Sequence, residues 1–337
     1  MLWQYCPMSH YSLRFSHPVP TGWLKDGWWS VSLSVLTYPP SGLKPWQYEL
    51  RPHKAQPGKE NIVMSALVET EWLAERIFDP QIRIVEINWD GLNDYAEGHL
   101  PGAVGWNWKS VLWDPYQREF PADADFAARL GENGITRNTT VVIYGAPVQF
   151  GTYAWWVLKF FGHDDVRILN GGKEKWRREG REIALDAPVF DQQDYGRPAR
   201  MPDMRASRED VLGAIDNPET VILDHRSHEE YSGQRVGLPG KADVGAERYG
   251  RIPRAGHLPF DALLNEDTTF KTPAEIADLV KPHVGDRETP VISYCRLAHR
   301  ATLASFAMTE LLGFKNVRVY DGSWTEWGSM VGMPIER

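Results

Sequence analysis

Cysteine is almost missing from this chain: its 337 residues carry two, Cys6 and Cys295. That is too few for a disulfide framework and points to a reducing compartment. Long apolar runs are missing as well, and none reaches the ~18 residues that a membrane-spanning helix needs. The stretch Met1 to His10 holds no Lys or Arg, so the basic start of a secretory signal is absent. An excess of positive charge is lacking too. At a formal net charge of -8 the chain offers no basic field to nucleic acid or an anionic membrane surface. These absences predict a cytoplasmic protein without nucleic-acid or membrane partners, in which any anion site is local; oligomeric state stays open.

What is present is an ordinary globular composition, 42% hydrophobic and 24% charged, with a length that suggests about two domains. Residues 1–63 stand apart. They scatter Trp3, Trp23, Trp28, Trp29 and Trp46 among Pro, Ser and Gly with no sustained helical or strand period. Clear patterning begins just after Met64. This predicts that the natural start is Met64 or that residues 1–63 are an irregular appendage, the alternative being a small accessory element docked through its tryptophans.

From there the chain repeats itself once. Val141-Val-Ile-Tyr-Gly145 matches Val291-Ile-Ser-Tyr-Cys295 at an offset of 150, from 145 to 295. Gly98-His99-Leu100-Pro101 recurs as Gly256-His257-Leu258-Pro259, and Ile84-Val85-Glu86-Ile87-Asn88 recurs as Ile222-Leu223-Asp224-His225-Arg226. Asn170-Gly171 with Trp176 matches Asp321-Gly322 with Trp327. Short apolar strands alternate with helical patterns in each half, which predicts an α/β fold with parallel sheets covered by helices. The expected domains are 64–186 and 207–337, joined by a linker at 187–206, with Ser207 capping the first helix beyond it. The first half has Gly145 in place of Cys295 and Asn88 in place of Arg226, so it is expected to have lost nucleophile and cation together.

Cys295 stands where the β-branched run from Val291 breaks into a helical pattern from Ala301 to Leu312, closed by Gly313. A helix N-terminus aims free amides and a partial positive charge at such a position, and an anion is favoured there. With Arg296, His299 and Arg300 beside it, Cys295 is expected to react as a thiolate. His99 and His257 recur in both halves and are expected to be structural. His299 is expected to titrate near neutrality or to be a merely exposed loop residue.

These marks, with the closing Asp321-Gly322-Ser323-Trp324-Thr325-Glu326-Trp327, resemble the rhodanese family, in particular its two-domain sulfurtransferases with an inactive first half and a catalytic second half. The resemblance runs from about Val68 to the C-terminus. It implies two tandem domains, each a central parallel sheet flanked by helices, and transfer of sulfane sulfur from thiosulfate to cyanide or a thiol through a persulfide on Cys295. It further implies that Arg226 and Arg300 are substrate cations and that Arg296, Leu297, Ala298 and His299 complete the substrate cradle. Asp224 would position the loop from behind, with no cofactor and no metal. Leu297 stands where thiosulfate-preferring relatives often have lysine, and Arg296 departs from the small uncharged residues of 3-mercaptopyruvate users. Three alternatives follow: a 3-mercaptopyruvate sulfurtransferase, a persulfide relay module serving a protein partner, and a cysteine phosphatase, whose loop is one residue longer. The segment from Ser232 to Ile252 lengthens the second half and carries Arg235, Lys241, Arg248 and Arg251; it reads as a solvated loop, with a basic lid or docking arm as the functional alternative.

Overall fold

A computed structural model describes residues 65–337, and the expectations for residues 1–63 lie outside the described part. In the first half, β1 (Leu67–Val68), β2 (Ile82–Asn88), β3 (Ala103–Asn107), β4 (Thr140–Ala146) and β5 (Val166–Leu169) form a sheet in the order β1-β5-β4-β2-β3. In the second, β6 (Arg205–Ala206), β7 (Val221–Asp224), β8 (Gly256–His257), β9 (Val291–Tyr294) and β10 (Val317–Tyr320) repeat that order as β6-β10-β9-β7-β8. Every strand pairing is parallel. The repeat read from the sequence is therefore a repeat of topology.

Parallel strands are covered on both faces, so they read as unbroken apolar runs, and all four residues of β9 are buried. The register sets Asp224 beside Tyr294, so β7 and β9 release Arg226 and Cys295 from the same edge of the sheet. Ligands of open α/β sheets bind at that carboxyl edge.

The helices that follow β4 and β9, Val148–Phe160 and His299–Phe306, pack against each other and join the halves. Thr152 and Thr302 meet hydroxyl to hydroxyl at 3.4 Å, and the Trp155 and Phe306 rings cross edge to face at 4.9 Å. Residues from both halves share one apolar cluster, which holds them as a single packed body. Ser207 caps the helix Arg208–Asp216 in a reciprocal box with Asp210. Arg205–Ala206, the end of the expected linker, belong to the second sheet as β6. No helix among the described residues is long and apolar enough to cross a membrane.

Candidate active site

Cys295 leaves β9 with no exposed surface, and the helix starts four residues later at His299. The turn is made by Ala298 in the left-handed conformation, φ 68°. A second turn clamps it from outside. Ser323 Oγ accepts the amides of Cys295 and Ala298, both at 3.2 Å, and donates to the Tyr320 carbonyl at 2.8 Å. Trp324 N donates to Cys295 O, and Thr325 donates to Arg296 O through both its amide and its hydroxyl. Among the described residues, the amides of Arg296, Leu297, His299 and Arg300 make no hydrogen bond and remain available to an anion at the helix start. The cradle is thus narrower than the whole loop, because Ser323 already holds two of its donors.

The two arginines expected to hold substrate are both committed to carboxylates. Arg226 is fully buried; its Nε and Nη2 grip Asp224 at 2.6 to 3.0 Å, Nη2 also donates to Gly250 O, and the guanidinium lies 4.5 Å over the Trp324 ring. Its Nη1 is buried with no hydrogen bond among the described residues. Burial pushes the Asp224 carboxyl up, but Arg226 and the Tyr294 hydroxyl more than offset it and leave the group below its ordinary value. Arg300 forms a two-point pair with Glu230 at 2.7 and 2.9 Å, both residues buried. Burial lowers the Arg300 pKa, while Glu230 and the nearby Cys295 raise it to a net upward shift. Each guanidinium that the resemblance made a substrate cation is a buried charge with a dedicated counter-ion.

His299 also differs from expectation. It is 6% exposed and enclosed by Trp108, Phe150 and Tyr153 of the first half, with ring centroids 4.3 to 4.4 Å away. Burial, with Arg118 nearby, drives its pKa well below the ordinary histidine value, so it is neutral around pH 7 rather than poised there. Arg296 donates to Val244 O at 3.1 Å, and Leu297 packs on the shared apolar cluster. His99 stacks on Tyr95 and binds two carbonyls, while His257 stacks on Tyr231 and binds Arg226 O, a structural role in both halves.

The first half retains the frame without the chemistry. Tyr144 donates to Glu86 at 2.6 Å as Tyr294 donates to Asp224 at 2.6 Å. Its cation is not lost but relocated: buried Lys173 reaches Glu86 at 2.9 Å from the helix Gly172–Arg178 after β5, where the second half uses Arg226. A side chain at Gly145 has no room, because a Cβ there would lie 2.3 Å from Gly151 N and 2.7 Å from Pro147 O. The loop has collapsed onto the space a thiol would occupy.

The segment after Ser232 is pinned rather than free. Arg248 donates to the carbonyls of Trp327, Gly328 and Met333, and Arg251 pairs with Glu336. Arg235 bonds to Gly237 O and Lys241 O. Of the basic residues that suggested a lid, Arg248 and Arg251 are staples to the rest of the second half, and Arg235 bonds within the segment itself.

Sequence reading missed Glu230, and it placed Ser323 and Thr325 in the closing motif without their hold on the Cys295 loop. Glu230 carried a local signal, since Ser227 and Glu230 form a capping box, but its bond to Arg300 spans 70 positions, from 230 to 300.

Comparison with known proteins matches the model of the rhodanese-like domain to residues 69–179 and again to 207–330. Among curated relatives, the sulfur carrier protein TtuD of Thermus thermophilus is 39% identical over 275 residues, covering 80% of this chain and 96% of that protein. A Haloferax volcanii protein provisionally named as a thiosulfate sulfurtransferase is 39% identical over 277 residues, with 80% and 96% covered. Among solved structures, an anaerobic ergothioneine biosynthesis enzyme from Chlorobium limicola, in complex with trimethyl histidine, superposes with a TM-score of 0.72 at 26% identity, covering 80% of this chain and 70% of that one. EanB with ergothioneine covalently linked to a cysteine persulfide gives 0.73 at 26% identity over the same shares. By a family model matched in both halves and by relatives alike over four-fifths of its length, the chain belongs to the rhodanese family.

Proposed function

We propose that this protein is a thiosulfate sulfurtransferase that carries sulfur as a persulfide on Cys295. The observation that supports it most is the setting of that thiol: buried at the carboxyl edge of a central strand, in a loop whose helix start holds unbonded amides and the buried guanidinium of Arg300. An anionic sulfur is favoured there by backbone dipoles and by a fixed guanidinium.

In the first step the Cys295 thiolate attacks the outer sulfur of thiosulfate. The new bond is S–S; the bond from that sulfur to the sulfonate sulfur breaks, and sulfite departs with the electron pair. In the second step cyanide or a thiolate attacks the terminal sulfur, the Cys295–sulfur bond breaks, and the pair returns to Cys295 as thiolate. Two half-reactions with a covalent intermediate give ping-pong kinetics. The free amides of the cradle stabilise the anionic sulfur without reorganising. In this reading Arg300 holds charge beside the sulfur. Arg226 with Asp224 positions the loop from behind.

The relatives' names support sulfur transfer, one as a sulfur carrier and another as a thiosulfate sulfurtransferase. The name of the Thermus relative, a sulfur carrier protein, supports a second reading in which Cys295 relays its sulfur to a protein partner and the first half-reaction is unchanged. Steady-state transfer to cyanide, measured with thiosulfate and with 3-mercaptopyruvate on the parent and on Cys295→Ser, tests the proposal. Thiosulfate is expected to give the higher kcat/KM, and Cys295→Ser is expected to abolish turnover with either donor. Faster turnover of 3-mercaptopyruvate would reassign the donor.

A further inference from the structure

From the geometry we infer that Arg118, in the half without a nucleophile, is a positioning residue for the sulfur-bearing loop of the other half. This rests on the sulfurtransferase reading of Cys295 given above.

Arg118 reaches across the interface to Asp321. Its Nη1 donates to Oδ2 at 2.7 Å and its Nη2 to the Asp321 carbonyl at 3.0 Å, so side chain and backbone of one residue are held together. Asp321 is 1% exposed and is also bound by Arg205 Nη2 at 3.0 Å and by the Tyr153 hydroxyl at 3.3 Å. Two positions further on, Ser323 Oγ accepts the amides of Cys295 and Ala298. A continuous chain of bonds therefore runs from Arg118 through the Asp321–Ser323 turn to the residue that bears the thiol.

Backbone conformation marks the same path. Five non-glycine residues of the described chain have positive φ, and three of them are Arg118 at 55°, Ser323 at 53° and Ala298 at 68°. L-residues avoid that region unless the surroundings hold them there, and such strain concentrates at functional sites. Arg118 is itself braced: its guanidinium lies 4.4 Å over the Trp113 ring, and Trp113 Nε1 donates to the same Tyr153 hydroxyl that meets Asp321. Glu119, next in sequence, binds Arg205 Nη1, so three ion pairs run in line from Arg118 through Asp321 and Arg205 to Glu119. The first half has lost its own thiol and retains the brace of its neighbour's.

Removing one member of a coupled chain leaves little for the next removal to disturb. The test is a double-mutant cycle of Arg118→Ala and Ser323→Ala, with Arg118→Lys as the conservative variant, read in two ways. In thiosulfate-to-cyanide turnover, Arg118→Ala is expected to lower kcat by roughly 10- to 100-fold while KM changes little, because misplacement of the reacting group costs rate rather than binding. Arg118→Lys restores part of that loss, and the double variant is no slower than Ser323→Ala alone. The second readout, the rate of Cys295 alkylation by iodoacetamide at fixed pH, needs no sulfur donor and is expected to show the same non-additivity. An unchanged kcat in Arg118→Ala, or effects that multiply in the double variant, overturns the inference. If the parent moves no sulfur, the sulfurtransferase reading fails, and the alkylation cycle alone decides whether Arg118 organises the loop. Should Arg118→Ala not fold, the cycle built on Arg118→Lys carries the same comparison.

Discussion

Arg300 and Glu230 meet in a two-point ion pair, 2.7 and 2.9 Å long, with both side chains buried and one of them beside the candidate sulfur carrier. The pair fixes the guanidinium plane, which lysine could not do. It also means that the charge near Cys295 is balanced inside the protein before any substrate arrives.

Breaking that balance from the acidic side strands a buried cation. Glu230→Gln is expected to lower stability by about 3–5 kcal/mol, the usual cost of removing one partner of a buried pair. Urea unfolding of parent and variant checks this, and a loss below about 1 kcal/mol would place Arg300 in water rather than in the pair.

Restoring the missing thiol to the first half does not restore a site. In Gly145→Cys the new Cβ would stand 2.3 Å from Gly151 N, a backbone atom that cannot swing aside. Overpacking of this kind typically costs about 1–3 kcal/mol. The variant should melt lower than the parent and take up no second sulfur from thiosulfate; two sulfurs per chain would show that the first-half loop opens.

Acid destabilises the fold through a buried histidine. Burial lowers the His225 pKa from 6.5 to about 4, and its ring nitrogens face Leu258 O at 2.7 Å and Ser293 Oγ at 3.1 Å. Below pH 6.5 the unfolded chain takes up a proton that the native state refuses. Stability is therefore complete above pH 6.5 and falls as pH drops toward about 4, by about 3 kcal/mol over that window. His299, held neutral by burial, acts in the same direction. Urea midpoints at pH values either side of 6 should show the loss, and His225→Gln should flatten it.

His299 itself is expected to stay out of proton transfer. Because burial keeps it neutral around pH 7, His299→Gln should reproduce the parent's pH–rate profile, with any loss of rate coming from disturbed packing against Trp108, Phe150 and Tyr153. A profile limb that disappears in the variant would give the imidazole a titrating role.

Topology and the position of the thiol were legible in the sequence because they rest on local pattern. The β4 and β9 runs announce themselves as apolar stretches, and Gly145 aligned with Cys295 separates an empty loop from a loaded one. Asp224 entered only through the family resemblance, although the partner it binds, Arg226, lies two positions away. What stayed hidden depends on contacts between distant segments. Nothing near Arg300 announces Glu230, and nothing near His299 announces three rings from the first half. Lys173 replaces Arg226 from a different element, so a position-by-position comparison of the halves registers a lost cation where the structure has moved one. Ser323 stood in a recognised motif, but its hold on the Cys295 and Ala298 amides follows from a turn conformation that residue types alone do not specify.

The central claim is that Cys295 is the atom on which sulfur travels. Intact-mass measurement after incubation with thiosulfate tests it most directly. The parent is predicted to gain the mass of one sulfur atom, localised to the peptide bearing Cys295 and removed by cyanide, and Cys295→Ser is predicted to gain nothing. An unchanged parent mass, or equal uptake by Cys295→Ser, would contradict the account.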